Sequence, residues 1–336
     1  MTGLLSIPMV PFVSIIVTVK NEESYISNLF TSMASLDYPK DRVETIVVDG
    51  GSTDRTISIV SSYSWIKLIT SQCSHSEGIN IGVKNARGEI IACTDGDCIL
   101  DKDWLKNIVK HFEANPIIGA VGGPYLPSKQ KELFAETFAY YSQSWFPRTT
   151  GYTMNPFKLG TGNVAFRRRL FDEIGWFDES IGMGTSKIKG GNDNDFNFRI
   201  MDAGYKLFFA DDVVIFHKFR GFRDNSGEEF RRGIYSTRYY KQEHAHVSAM
   251  WRLRNFLIPF LFPAFSLLLI LNLLTGRFTL AYIQLFCILG YYFYRIMRFR
   301  INRRAKPALI PRLLEPIIAI YVRLLWSFGA LIGLVI

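Results

Sequence analysis

The apolar run Ile90-Ile91-Ala92-Cys93-Thr94 ends on Asp95-Gly96-Asp97, and this junction constrains the fold more than any other part of the chain. A short apolar run bounded by turn residues reads as a buried strand. Two carboxylates at the exit of such a strand are costly unless a cation or ligand compensates them. The strand period of two sets both side chains on one side of the backbone, so they converge on one object. Hard divalent cations such as Mg²⁺ or Mn²⁺ take oxygen ligands of this kind and usually carry substrate phosphates with them. Taken alone, an acidic triplet reads first as a solvated turn.

The surroundings favour the site. Val13 to Val19 is a second buried-strand run, followed by Lys20-Asn21-Glu22-Glu23 and a helical stretch through Leu36. Val43 to Val48 is a third, ending in Asp49-Gly50-Gly51-Ser52-Thr53-Asp54, where Ser52 or Thr53 is suited to cap the next helix. A strand at Ile66 to Ile69 and a helix near Ile79 to Asn85 continue the alternation. The spacing predicts an α/β domain with a mostly parallel, doubly wound twisted sheet. Such sheets bind ligands beyond the carboxyl ends of their strands, where Asp49, Asp95 and Asp97 all fall.

The last ~85 residues read as membrane. Phe256 to Leu274 and Phe278 to Met297 each approach the ~20 residues needed to span a hydrocarbon core. Leu313 to Ile336 is a third stretch, interrupted by Glu315 and Arg323. The expected organisation is a catalytic domain over 1–234, an interfacial amphipathic segment over 235–255, and three transmembrane helices over 256–336. The net charge of +9 has a topological explanation, because Arg298, Arg300, Arg303, Arg304, Lys306 and Arg312 crowd the second connection. The positive-inside rule places that loop in the cytoplasm and the C-terminus outside. Met1 to Phe12 lacks the features of a signal peptide, which agrees with a cytoplasmic catalytic domain in a multi-pass membrane protein. No nucleic-acid-binding signature accompanies the positive charge. Cys73, Cys93, Cys98 and Cys287 have no disulfide or zinc spacing. The aromatics Phe134, Phe138, Tyr140, Tyr141, Trp145 and Phe146 fit either a core-facing helix or one at the bilayer surface.

Five motifs in order make the chain resemble the family 2 inverting glycosyltransferases, over about residues 12 to 230. They are Val17-Thr18-Val19-Lys20-Asn21-Glu22, Val48-Asp49-Gly50-Gly51-Ser52-Thr53-Asp54, Asp95-Gly96-Asp97, Gly160-Thr161-Gly162-Asn163 with Arg167, and Gly191-Asn192-Asp193-Asn194-Asp195-Phe196 with Arg199. The resemblance implies a GT-A type nucleotide-sugar-binding domain. It implies that Asp49 and the Thr18 loop contact the nucleoside, that Asp95 assists nucleotide binding and that Asp97 ligates Mn²⁺ or Mg²⁺. His217, at the end of an apolar run, would complete the metal site in many enzymes of this fold; a packed histidine is the alternative. Gly162, Asn163 and Arg167 would lie near the acceptor. Asp193 would be the base that takes a proton from an acceptor hydroxyl, opposite the leaving nucleoside diphosphate. The family's acidic pair reads Asn192-Asp193 here, so one carboxylate remains. His75, His111, His244 and His246 show no partner pattern.

The three apolar stretches also resemble a reduced cellulose-synthase architecture. The processive enzymes' Gln-x-x-Arg-Trp motif corresponds to Glu228-Glu229-Phe230-Arg231-Arg232-Gly233, which keeps Arg231 as a substrate-binding candidate but loses the sugar-stacking aromatic. The expectation is therefore a non-processive transferase. It moves a sugar, mannose from GDP-mannose by resemblance to dolichyl-phosphate mannose synthases, to a polyprenyl- or dolichyl-phosphate-linked acceptor. Alternatives are a synthase using the lipid phosphate itself as acceptor, a nucleotidyltransferase, and a non-catalytic scaffold or transporter.

Overall fold

The structure, a computed structural model, describes residues 10–128, 132–143, 146–147, 149–184, 190–219, 221–240, 258–300 and 309–335. The chain divides into two compact units. The first comprises residues up to Tyr125 together with Thr149–His217, and the second comprises Leu126–Arg148 and Lys218–Ile336.

In the first unit, the strands β1 (Val13–Val19), β2 (Val43–Asp49), β3 (Ile66–Thr70) and β4 (Ile90–Asp95) pair in parallel, in the order β3-β2-β1-β4. They alternate with α1 (Ile26–Ala34), α2 (Thr56–Ser61) and α3 (His75–Lys84). The alternation is legible because these strands are buried on both faces, which leaves near-continuous apolar runs. Val13, Ile15, Val17 and Val19 join a core with α1 and with α4 (Trp104–Ala114). The opposite face of β1 meets α3, where added Cβ atoms at Gly78 and Gly82 would press on Thr18 and Ile16. That spacing lets helix and strand approach closely.

Beyond β4 the sheet is mixed, with antiparallel strands set into a sheet whose other strands run parallel. Here β5 is Cys98–Leu100, β6 Ile118–Gly122, β7 Tyr125–Pro127, β8 Gly151–Thr153, β9 Asn163–Arg167, β10 Lys206–Phe209 and β11 Ile215–His217. β9 runs antiparallel between β4 and β6, β10 pairs in parallel with β6, and β8 closes the edge antiparallel to β10. β9 arrives after a long excursion instead of a crossover helix, and only tertiary pairing sets its direction. α6 (Leu170–Glu173) and α7 (Asn192–Asp202) anchor on an aromatic cluster of Phe166, Phe171, Phe177 and Phe196, with Phe177 stacked on Phe196 at 4.3 Å between ring centroids.

The second unit contains α5 (Leu133–Gln143), α8 (Phe222–Tyr240), α9 (Ile258–Leu274), α10 (Phe278–Arg300) and α11 (Leu309–Val335). Phe138 and Tyr141 of α5 are buried with Phe219, Ala319 and Val322, which is the core-facing alternative for the aromatic stretch. α8 and α11 touch backbone to backbone. A Cβ on Gly233 would collide with the Trp326 carbonyl, and one on Gly329 with the Phe230 carbonyl. Small residues at a helix crossing allow this approach. α9 ends at Leu274 and is followed by Gly276, whose φ of 71° supports a reversal closed by Arg277 N–H to the Asn272 carbonyl at 2.8 Å. Asn272 and Gln284 bridge the two helices at 2.9 Å.

Among the described residues one helical segment, Leu313–Ile332, is long and apolar enough to cross a membrane, and Ala264–Leu274 and Phe278–Tyr294 are shorter apolar helices. Glu315 is buried, and Arg323 lies over the Tyr291 ring at 5.8 Å. These intrusive charges thus face protein. The interfacial segment expected over 235–255 lies outside the described residues beyond Tyr240, as do Arg303, Arg304 and Lys306.

Candidate active site

The strand order reverses between β1 and β4, where Thr18 stands in register with Asp95. An open α/β sheet leaves a crevice at such a switch point. Two loops frame it on the β2 side. Asn21, with φ at 59°, accepts from Thr53 N–H at 2.8 Å, and its own N–H donates to Ser52 Oγ at 2.9 Å. Glu22 N–H donates to Thr56 Oγ1 at 2.8 Å. Ser52 and Thr53 are thus engaged across the loop, and Asp54 Oδ1 accepts from Thr56 N–H at the start of α2 instead. This corrects the expected cap.

Asp49 is buried, and its carboxylate folds back on its own loop. Oδ1 accepts from Gly51 N–H and Ser52 N–H, both at 2.9 Å, and Oδ2 accepts from Ser52 Oγ. This is turn chemistry, so Asp49 shapes its own loop and keeps little carboxylate free for a ligand.

On the other side of the switch point, Asp97 meets β11. His217 lies opposite Cys98 in the β5–β11 pair, and its Nε2 is 3.3 Å from Asp97 Oδ2. One ligand atom from each of Asp97, Cys98 and His217 falls within a 4.8 Å cluster. The carboxylate suits Mn²⁺ or Mg²⁺, whereas the imidazole is a softer ligand better matched to a transition-metal ion than to Mg²⁺. The Cys98 thiol fits less well, because burial, then Asp95 and Asp97, push its pKa well above the usual value and keep it protonated. His217→Ala should therefore shift which divalent ion supports activity and raise the concentration required, without abolishing turnover. A titration of rate against Mn²⁺ and Mg²⁺ that matched wild type would remove His217 from the metal site.

Asp95 points the other way. A Cβ on Gly162 would collide with Asp95 Oδ2 and sit 3.0 Å from the Tyr125 ring. Glycine is therefore required there by close approach. The Tyr125 hydroxyl donates to the Gly160 carbonyl at 2.9 Å. Burial, then Asp95, Cys98 and Asp193, raise the tyrosine's pKa well above its ordinary value, so it remains a neutral donor. A Cβ on Gly160 would lie 3.4 Å from Asp193 Oδ2. The glycine loop thus touches the Asp95 carboxylate at Gly162 and the Asp193 carboxylate at Gly160, and the Tyr125 hydroxyl holds it.

Asp193 stands in the first turn of α7, after Gly191 at φ 90°, and its Oδ1 accepts from Asn194 N–H at 2.8 Å. The neighbouring α7 side chains fix the helix. Asp195 takes both Arg199 Nε and Nη2 at 3.0 and 2.8 Å, and Arg199 also donates to the carbonyls of Ile174 and Trp176. Asn197 Nδ2 holds the carbonyls of Pro156 and Leu159, both at 2.8 Å, just before the glycine loop.

Three expected substrate contacts lie elsewhere. Arg167 pairs with Ile90 at the opposite end of β4, and its guanidinium donates to the carbonyls of Ile118, Phe112 and Asn115. Asn163 is fully buried. Its carboxamide donates to the Pro124 and Val213 carbonyls and accepts from Trp104 Nε1, which holds the strand approaching His217. Arg231 belongs to α8 in the second unit and pairs with Glu228 at 3.1 Å. Spacing could not distinguish a side chain engaged by backbone carbonyls from one offered to a ligand.

The structure also adds residues. His75, the first residue of α3, has Nε2 3.6 Å from Asp95 Oδ1. His111 pairs with Asp212 at 2.7 Å, away from the site. Ser74-x-x-Glu77 was a readable helix-start signal for His75, since both halves of the capping box form. Tyr125 carries no sequence signal.

A doubly wound sheet with an acidic pair at its switch point and a third carboxylate on a facing helix defines a transferase of the GT-A type. Residues 14–175 match glycosyl transferase family 2. The chain is 30% identical over 235 residues to glycosyltransferase AglE of Haloferax volcanii, covering 66% of this chain and 72% of that protein. It is 26% identical over 228 residues to the dolichyl N-acetyl-alpha-D-glucosaminyl phosphate 3-beta-D-2,3-diacetamido-2,3-dideoxy-beta-D-glucuronosyltransferase of Methanococcus voltae, covering 60% of this chain and 65% of that one. The structure of mannosyltransferase PcManGT from Pyrobaculum calidifontis aligns with a TM-score of 0.64 at 21% identity, over 92% of this chain and 86% of that one, which shows the fold. This chain belongs to glycosyl transferase family 2 and is a glycosyltransferase.

Proposed function

We propose that this enzyme transfers a sugar, with inversion, from a nucleotide-sugar donor to a hydroxyl of a polyprenyl- or dolichyl-phosphate-linked acceptor at the cytoplasmic membrane face. The carrying observation is the placement of Asp193 Oδ2 at Gly160, on the same glycine loop whose Gly162 meets Asp95 and whose Gly160 carbonyl is held by Tyr125. In this reading the donor diphosphate lies towards Asp95 and Asp97, with Thr18 and the Asp49 loop on the nucleoside side. A divalent cation held by Asp97 and His217 would neutralise charge on the departing diphosphate. The acceptor oxygen loses its proton to Asp193 as it bonds to the anomeric carbon. The bond from that carbon to the phosphate oxygen breaks on the opposite face.

A hydroxyl acceptor needs a base, whereas a lipid phosphate is already anionic, so Asp193 favours the lipid-linked sugar. The name of the Methanococcus relative, a transferase acting on a dolichyl phosphate sugar, supports the same choice. GDP-mannose is the first donor to test, since PcManGT was solved with GDP-Man and Mn²⁺. UDP-sugars are the comparison set. The three apolar helices α9, α10 and α11 would lie in the bilayer and form an open groove for one isoprenoid chain, with its phosphate near the basic connection after α10.

The test uses the full chain in liposomes, offered each donor with a lipid-linked hexose on a long or a short tail. Mannosyl transfer from GDP-mannose, faster on the long tail, is the expected result. Transfer from UDP-sugars alone would overturn the donor. Transfer to free lipid phosphate would establish the synthase alternative, and equal rates on both tails would reduce the helices to an anchor.

A further inference from the structure

The His75 ring lies between the two halves of the proposed site. Its Nε2 is 3.6 Å from Asp95 Oδ1, and its Nδ1 is 3.4 Å from Asn192 Nδ2, on the residue immediately before Asp193. A carboxamide nitrogen only donates, so Nδ1 must accept. With Nδ1 accepting, the neutral ring carries its proton on Nε2, the nitrogen that faces the Asp95 carboxylate. The Asn192 bond therefore selects the Nε2–H tautomer, and the Asp95 contact is compatible with it. An aspartate at 192 would supply no donor and would face the ring with a second carboxylate.

The backbone beneath the ring is held on several sides. His75 N–H donates to the Met183 carbonyl at 2.9 Å, and Ser76 Oγ donates to the Ile181 carbonyl. Asn80 donates to the Phe177 carbonyl at 2.9 Å and accepts from Phe177 N–H at 3.1 Å. Gly182, at φ 139°, has no room for a Cβ beside Ser76. These bonds fix the start of α3 against the segment that leads towards α7. The imidazole is thus delivered from a rigid base, and Asn192 itself is buried.

We propose that His75 is a positioning residue, held as the neutral Nε2–H tautomer, which ties Asp95 to the first turn of α7 and so fixes where Asp193 stands. The Asn192 carboxamide donates to His75 Nδ1, and the other ring nitrogen faces Asp95 Oδ1 across 3.6 Å. This deepens the reading of Asp95 as donor-side and Asp193 as base, and it rests on that reading. Loss of the link would displace the base from the reacting oxygen more than it would weaken donor binding.

The test has two arms. In the first, the full chain is labelled with ¹⁵N-histidine, and His75 is assigned among the five histidines by the signal lost in His75→Ala. The expected spectrum at neutral pH shows a protonated Nε2 and an unprotonated Nδ1. A ring protonated on Nδ1, or on both nitrogens, would overturn the proposal. This arm needs neither donor nor acceptor, so it stands even if the assigned substrates fail. In the second arm, His75→Ala, Asn192→Ala and the double variant are compared in steady-state transfer. Each single change should lower kcat roughly 10- to 100-fold, with a smaller rise in donor KM. The double variant should be no slower than the slower single one, because both remove one link. Multiplicative losses would mean that the two side chains act separately and would sink the link.

Discussion

Asp193→Asn should bind nucleotide donor as tightly as wild type and yet transfer roughly 10²- to 10⁴-fold more slowly, the usual contribution of a positioned general base. The substitution is close to isosteric. Its Oδ1 still accepts from Asn194 N–H, now 2.8 Å from Asp193 Oδ1, so the first turn of α7 keeps its local bond. The site beside Gly160 changes chemically but not in shape: an amide cannot take the acceptor's proton. Single-turnover transfer and donor binding, measured on the same preparation, separate the two effects. Turnover at the wild-type rate would eliminate Asp193 as the base, and a parallel loss of donor affinity would mean that it holds substrate.

Asp97→Ala should lose the metal-dependent part of nucleotide affinity. Asp97 supplies the carboxylate of the Asp97–His217 pair, separated by 3.3 Å, and its removal leaves an imidazole and a protonated thiol. Neither binds a hard divalent cation well in the absence of the carboxylate. Calorimetry of nucleoside diphosphate binding should show strong Mn²⁺ enhancement in wild type and almost none in the variant. Undiminished affinity with Mn²⁺ present would place the metal elsewhere. Asp95 gives a useful contrast, because its oxygens face Gly162 and His75 and lie outside the metal cluster.

The strands β1 to β4 were legible because central parallel strands are buried on both faces and so leave unbroken apolar runs that stop at polar residues. The carboxylates at their ends were visible for the same reason: Asp95 and Asp97 interrupt an apolar pattern abruptly. Antiparallel β9 was not legible as such. Gly160-Thr161-Gly162-Asn163 announced a special backbone, but not that Gly162 makes room for Asp95 Oδ2 or that Gly160 faces Asp193.

Side-chain roles divided along the same line. Sequence alone determined the family, the alternating α/β frame and the position of each acidic motif along the chain, because strand burial, helix capping and turn chemistry are local. Tertiary structure decided which polar groups remain for a ligand. Asp49 turns its carboxylate into its own loop, Asn163 is consumed by the Pro124 and Val213 carbonyls, and Arg167 satisfies three carbonyls at the opposite end of the sheet. His75, without a partner in the sequence, gains Asp95 and Asn192. A buried polar group must be paired, and its partner is chosen by packing between residues as far apart as 75 and 192.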